Sequence, residues 1–133
     1  MSYQLSPDPK LEFSPVCRGL ILANVAVYAL GLLGQLLQIP ALQVQGLLSL
    51  FGLFPNTLFR DGLLWTPFTY MFLHANLMHI GVNMMGLYLL GPDLEQALGH
   101  AKFLTFYVIS GIMGALGFLV ISFYLQGQNL PVV

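Results

Sequence analysis

The stretch "HANLMHIGVN", residues 74–83, sets two histidines and two asparagines inside a segment fit for hydrocarbon: from Leu63 to Pro92 the chain has no Asp, Glu, Lys or Arg. Polar side chains in such a setting are costly and point to a functional site with a partner to be named. His79 and Asn83 are four residues apart, so on a helix they share a face and can reach one common point. His74 precedes His79 by five, about 140° round a helix, which turns it toward a different neighbour. Asn76 lies nearer the shared face. Three chemistries compete. A zinc site would recruit His74, His79 and His100, but the five-residue step is wrong for one face, His100 falls in a loop and no carboxylate lies nearby to orient a ligand. No metal is therefore expected. His79 and Asn83 could be polar glue, bonding to neighbouring helices. They could equally aim an imidazole N–H and a carboxamide N–H at one developing oxyanion. Spacing alone leaves these two open.

Composition identifies the solvent. Charged residues are 7% of the 133 and apolar types 57%, against roughly 25% charged in a soluble domain. This is a membrane protein, and the lipid bilayer is its first partner. The formal charge of −1 offers no basic patch to neutralise phosphates, so nucleic acid is excluded as a partner. Cys17 is the only cysteine, which rules out an internal disulfide and a thiolate cage; it reads as a small apolar filler near a helix start. Residues 1–17, "MSYQLSPDPKLEFSPVC", carry Asp8, Lys10 and Glu12 where a signal peptide needs an apolar run. They read as a cytosolic tail.

The elements that must position the polar cluster follow from length. A span needs about 20 apolar residues. Residues 19–38, 67–90 and 102–125 each fit one, with Trp65 and Tyr70 suited to the interface, giving an all-α, polytopic membrane protein with three transmembrane helices. Residues 41–59 are also uncharged, yet one helix from Gly19 to Phe59 would exceed about 60 Å, twice the hydrocarbon thickness. Pro40 breaks it, and Gln43, Gln45, Gly46, Gly52 and "FPN" suit a membrane-embedded loop with short helices. Lysine and arginine placement favours three spans and four spans equally. In the last helix "SGIMGALG" places Ser110, Gly114 and Gly117 along one face, with Gly111 and Ala115 beside it, for close helix packing.

The ordered set of features from Trp65 onward resembles the rhomboid family of intramembrane serine proteases. It comprises Trp65, His74, His79 and Asn83 in H-x4-H-x3-N spacing, Gly91, Glu95 and Gly99 in "GPDLEQALG", and "FYVISG" opening the next helix; "FGLFPN" at 51–56 is similar to the family's first loop. The resemblance runs from about Pro15 to the end. It implies a partial rhomboid domain over 18–133, part of a six-helix bundle. Its parts are helix one at 19–38, the embedded first loop at 39–66, helix two at 67–90, a cytosolic turn at 91–101, helix three at 102–125 and the start of the next loop at 126–133. It also implies a cytosolic N-terminus and Lys102, an extracytosolic Arg60, and oxyanion stabilisation by His79 and Asn83. His74 would hold the first loop, Trp65 would seat it, and Glu95 with Gly99 would order the cytosolic turn.

Two departures stand out. The family often has Arg after the loop Trp, and here it is Thr66. The family's nucleophile, a Ser in G-x-S-G on the fourth helix, and its base His on the sixth have no counterpart. Ser110 in "VISG" follows Val108 where the motif wants Gly, and Ser49 and Ser122 have no base nearby in sequence, so all three read as structural. The expectation is an N-terminal fragment of an intramembrane serine endopeptidase that cleaves transmembrane protein substrates, needs the missing C-terminal helices of its own domain, uses no metal or organic cofactor, and is inactive alone. The alternatives are a proteolytically dead, rhomboid-like binding or chaperone protein and, more remotely, a transporter fragment.

Overall fold

The computed structural model describes residues 14–129, and every element among them is helical. Helix α1 spans Pro15–Leu36. Proline suits its first turn, where no backbone N–H is needed, and the Ser14 carbonyl accepts the Arg18 N–H at 3.0 Å. The helix closes with Gln38 in the left-handed region (φ 55°) and the Ile39 N–H on the Gly34 carbonyl at 2.9 Å, a Schellman-type end. A 3₁₀ turn at Pro40–Leu42, α2 at Val44–Phe51, α3 at Pro55–Phe59, α4 at Thr66–Thr69 and a second 3₁₀ turn at Tyr70–Phe72 follow. Two long helices complete the chain, α5 at Leu77–Leu98 and α6 at His100–Asn129.

Helix α1 and residues His100–Leu125 of α6 are long and apolar enough to cross a membrane. Leu22, Leu32 and Leu36 of α1 and Ile109, Met113 and Val120 of α6 are exposed, as side chains facing lipid rather than water can be. Helix α5 matches α1 at 22 residues, but Asp93, Glu95, His79 and Asn83 make it more polar. The buried side chains form two small clusters. Cys17, Leu20 and Phe103, with Phe72, Leu87 and Tyr107 against them, join α1, α5 and α6. Leu53, Ala115 and Leu119, with Leu58 and Tyr70, seat the loop region on α6.

The loop region is docked at both ends. A Cβ on Gly34 would lie 2.5 Å from the Leu42 carbonyl carbon, so only glycine lets α1 approach the Pro40 turn this closely. At the other end the Trp65 indole N–H donates to the Leu50 carbonyl at 3.0 Å and the Thr69 hydroxyl to the Phe51 carbonyl at 2.7 Å. Both satisfy carbonyls at the C-terminus of α2, which have no partner within the helix.

The boundaries differ from those read off the sequence. The first helix starts at Pro15, not 19. Of the expected tail, residues 1–13 lie outside the described residues, and Ser14 to Cys17 already form the cap and first turn of α1. The second helix begins at Leu77 rather than 67, because Asn76 caps it, and runs through Pro92 to Leu98, so the expected turn at 91–101 shrinks to Gly99. The third helix starts at His100 and continues to Asn129; residues 130–133 of the expected next loop lie outside the described residues.

Candidate functional site

The polar cluster is built at the start of α5. The Asn76 side-chain oxygen accepts the His79 backbone N–H at 2.9 Å, the usual work of an asparagine N-cap. Asn76 is therefore spent on the cap rather than lying near the face of His79 and Asn83. The backbone before it is extended, with Leu73 at φ −99°, ψ 133° and Asn76 at φ −156°, ψ 167°. A helical angle between His74 and His79 consequently has no meaning, and the expectation that His74 turns away is corrected. His74 folds back over the first turn. Its ring meets the His79 ring edge-on, centroids 5.0 Å apart at 65°, and its Nε2 lies 3.1 Å from Asn83 Nδ2.

His79 and Asn83 are exposed, whereas His74 is only 4% exposed. The structure thus brings each of the two to His74. Asn83 and His74 line a cavity of about 400 Å³ between α5 and α6, shared with Met71, Ser110 and Gly111. His79 lines a second cavity of about 400 Å³, with Phe54, Tyr70 and Phe118. An imidazole and a carboxamide therefore stand at the edges of two apolar clefts with a buried imidazole between them. His74 also borders Val27 and Tyr28 of α1 and Val44 and Leu48 of α2 around a small void, which sets it against the loop region it was expected to hold.

The supporting residues fall at the opposite end of α5. Glu95 is fully buried. Its Oε1 accepts the Val16 N–H at 3.0 Å and its Oε2 the Cys17 N–H at 2.7 Å, while His100 Nδ1 lies 2.5 Å from Oε1. The carboxylate thus sits on the first turn of α1, where unpaired backbone N–H groups and the helix dipole favour negative charge. It ties together the ends of three long helices. Gly99 ends α5 at φ 81° with its N–H on the Glu95 carbonyl at 2.8 Å, a conformation glycine adopts without strain. Trp65 closes the loop through Leu50, as described above.

The small-residue face of α6 is rotated from the one expected. Ala115 is 1% exposed, and a Cβ on Gly111 would meet the Met71 methyl at 2.5 Å. The Tyr70 hydroxyl donates to the Gly111 carbonyl at 2.5 Å. Gly114 lies at the edge, where a Cβ would stand 3.0 Å from that hydroxyl; Gly117 has open space, and Ser110 is exposed. The contacts of Gly111 and Ala115 are with Tyr70 and Met71 and with the Leu53 and Leu58 region of the loop. Gly91, noted in the sequence only as one of the family features, has a packing contact that was not foreseen: a Cβ there would lie 2.5 Å from Cys17 Sγ, and the Cys17 thiol donates to the Leu87 carbonyl at 3.3 Å. These let α1 and α5 touch; the only signal was a glycine and a cysteine in apolar surroundings.

A family model described as the Rhomboid domain matches residues 61–133, more than half of the chain. The chain is 35% identical over 97 residues to Rhomboid protease AarA of Providencia stuartii, covering 73% of this chain and 34% of that protein. It is 32% identical over 74 residues to Rhomboid protease GluP of Bacillus subtilis (strain 168), covering 56% and 15% respectively. It is 39% identical over 49 residues to Rhomboid protease GlpG of Salmonella newport (strain SL254), covering 37% and 18%. The matched stretch is thus about a third or less of each relative's own length. No solved structure gives a significant match.

Proposed function

The chain belongs to the rhomboid family, and on that premise we propose that it carries the oxyanion-stabilising half of an intramembrane serine endopeptidase. His79 and Asn83 donate N–H bonds to the tetrahedral intermediate of peptide-bond hydrolysis in a transmembrane protein substrate. The nucleophilic serine and its base histidine come from outside residues 1–133, on helices that complete the bundle and occupy the cleft between α5 and α6. Residues 1–133 alone are inactive. The N-terminus and Lys102 are cytosolic, Arg60 is extracytosolic, and α1, the segment centred on α5, and α6 are the three spans.

The observation that carries this reading is the exposed Asn83 carboxamide at the rim of a cavity, one helical turn after the exposed His79. Once the completing helices exclude water from the site, such N–H donors stabilise developing charge far better than bulk solvent does. The family premise supplies the reaction; the three relatives, each a rhomboid protease, support it.

The test is made on the full-length protein that contains these residues, reconstituted in liposomes. It is expected to cleave a model transmembrane substrate and to label with a serine-directed fluorophosphonate, while residues 1–133 expressed alone do neither. A folded full-length protein that binds such a substrate without cleaving it or labelling would make it a binding relative instead.

A further inference from the structure

We infer that His74 is a positioning residue for Asn83: its Nε2 lone pair accepts one N–H of the carboxamide and thereby aims the second N–H into the cleft between α5 and α6. The inference rests on the reading of Asn83 as an oxyanion donor. A carboxamide has an acceptor side and a donor side, and on an exposed side chain the two interchange by rotation. An oxyanion site needs the donor side, since a carbonyl oxygen there would repel the charge it should stabilise. Something must hold the amide one way round.

His74 is placed to do so. Its ring is buried, lies edge-on to His79 and borders α1 and α2 side chains across a small void. Nε2 lies 3.1 Å from Asn83 Nδ2. A neutral imidazole has one bare nitrogen and one N–H. If Nε2 accepts, the proton resides on Nδ1, in a ring that has the Phe72 backbone carbonyl as a hydrogen-bond acceptor. That tautomer orients Asn83, and it links the loop region bordering His74 to the geometry of the donor.

Two measurements on the full-length protein test this. Nitrogen-15 NMR of histidine-labelled protein, with His74 assigned by its loss in His74→Gln, is expected to show Nδ1 protonated and Nε2 bare, and Asn83→Ala should release the Nε2–H tautomer. Protonated Nε2 in the wild type, or a tautomer indifferent to Asn83→Ala, overturns the inference. In a double-mutant cycle, His74→Ala is expected to lower kcat about tenfold or more with KM little changed, and to have less than about a twofold further effect in the Asn83→Ala background. Multiplicative losses would show that His74 acts elsewhere and overturn it too. If Asn83→Ala itself leaves kcat intact, the oxyanion reading fails, and the NMR result still judges the His74–Asn83 contact independently.

Discussion

Replacing Glu95 by alanine removes a side chain that binds the ends of α1, α5 and α6 at a single point. The carboxylate is fully buried and accepts the Val16 and Cys17 N–H groups at 3.0 and 2.7 Å. Hydrogen bonds to a charged group contribute about 1.5–3 kcal/mol each, and a negative charge at a helix N-terminus adds about 0.3–2 kcal/mol. The alanine variant also strands two donors at the start of α1. Relaxation and water entry offset part of this, so the expected loss is about 3–5 kcal/mol, the range for breaking a buried charged contact. His100→Ala should cost far less, about 1 kcal/mol, because that side chain is 61% exposed and leaves both backbone bonds in place. Glu95→Gln keeps one acceptor oxygen and should fall between. The assay is unfolding in mixed micelles followed by fluorescence of Trp65, the chain's only tryptophan. A Glu95→Ala variant within about 1 kcal/mol of wild type, or a His100→Ala variant as damaged as Glu95→Ala, would refute the capping argument.

Gly34→Ala should destabilise by about 1–3 kcal/mol, because its Cβ meets Leu42 backbone atoms that cannot yield, whereas Gly117→Ala, with open space around it, should be neutral or gain up to about 1 kcal/mol of helix propensity; the same unfolding assay reads both, and equal effects would mean that the Gly34 contact is not tight. Trp65→Phe should cost about 0.5–1.5 kcal/mol through the lost bond to the Leu50 carbonyl and raise hydrogen exchange at the end of α2; unchanged exchange there would argue against the loop clasp. In the three-span topology, a cysteine at Asp61 should react with an impermeant thiol reagent added from outside and be protected from inside; the reverse pattern would place residues 41–59 as a span.

How much was legible in the sequence depends on distance along the chain. The two most apolar helices and the interruption at Pro40 followed from length and composition, because each is a local property. The second long helix was misjudged at both ends. The uncharged run from Pro67 looked like its start, although Asn76 ahead of an apolar run is a recognisable cap. Its end was read at Leu90, yet the helix continues through Pro92, whose carbonyl accepts the hydroxyl of Ser14, the cap of α1, at 3.4 Å. His74 was assigned the wrong direction because a helical wheel was extended past the cap. Glu95 illustrates the limit most clearly: its partners at Val16 and Cys17 are 79 and 78 residues away, and no spacing rule reaches that far. The α6 stripe was read as small residues on a face, but which of two adjacent faces is used depends on where Tyr70 and Met71 lie.

The central claim, that Asn83 donates to a transition-state oxyanion, is tested most directly by kcat, KM and thermal midpoint measured together on detergent-purified full-length Asn83→Ala. Loss of one oxyanion donor typically costs about 2.7–4 kcal/mol, or roughly 10²–10³ in kcat, so kcat should fall toward that range while KM and the midpoint stay near wild type. A lowered midpoint with turnover preserved would make the carboxamide helix glue and contradict the account.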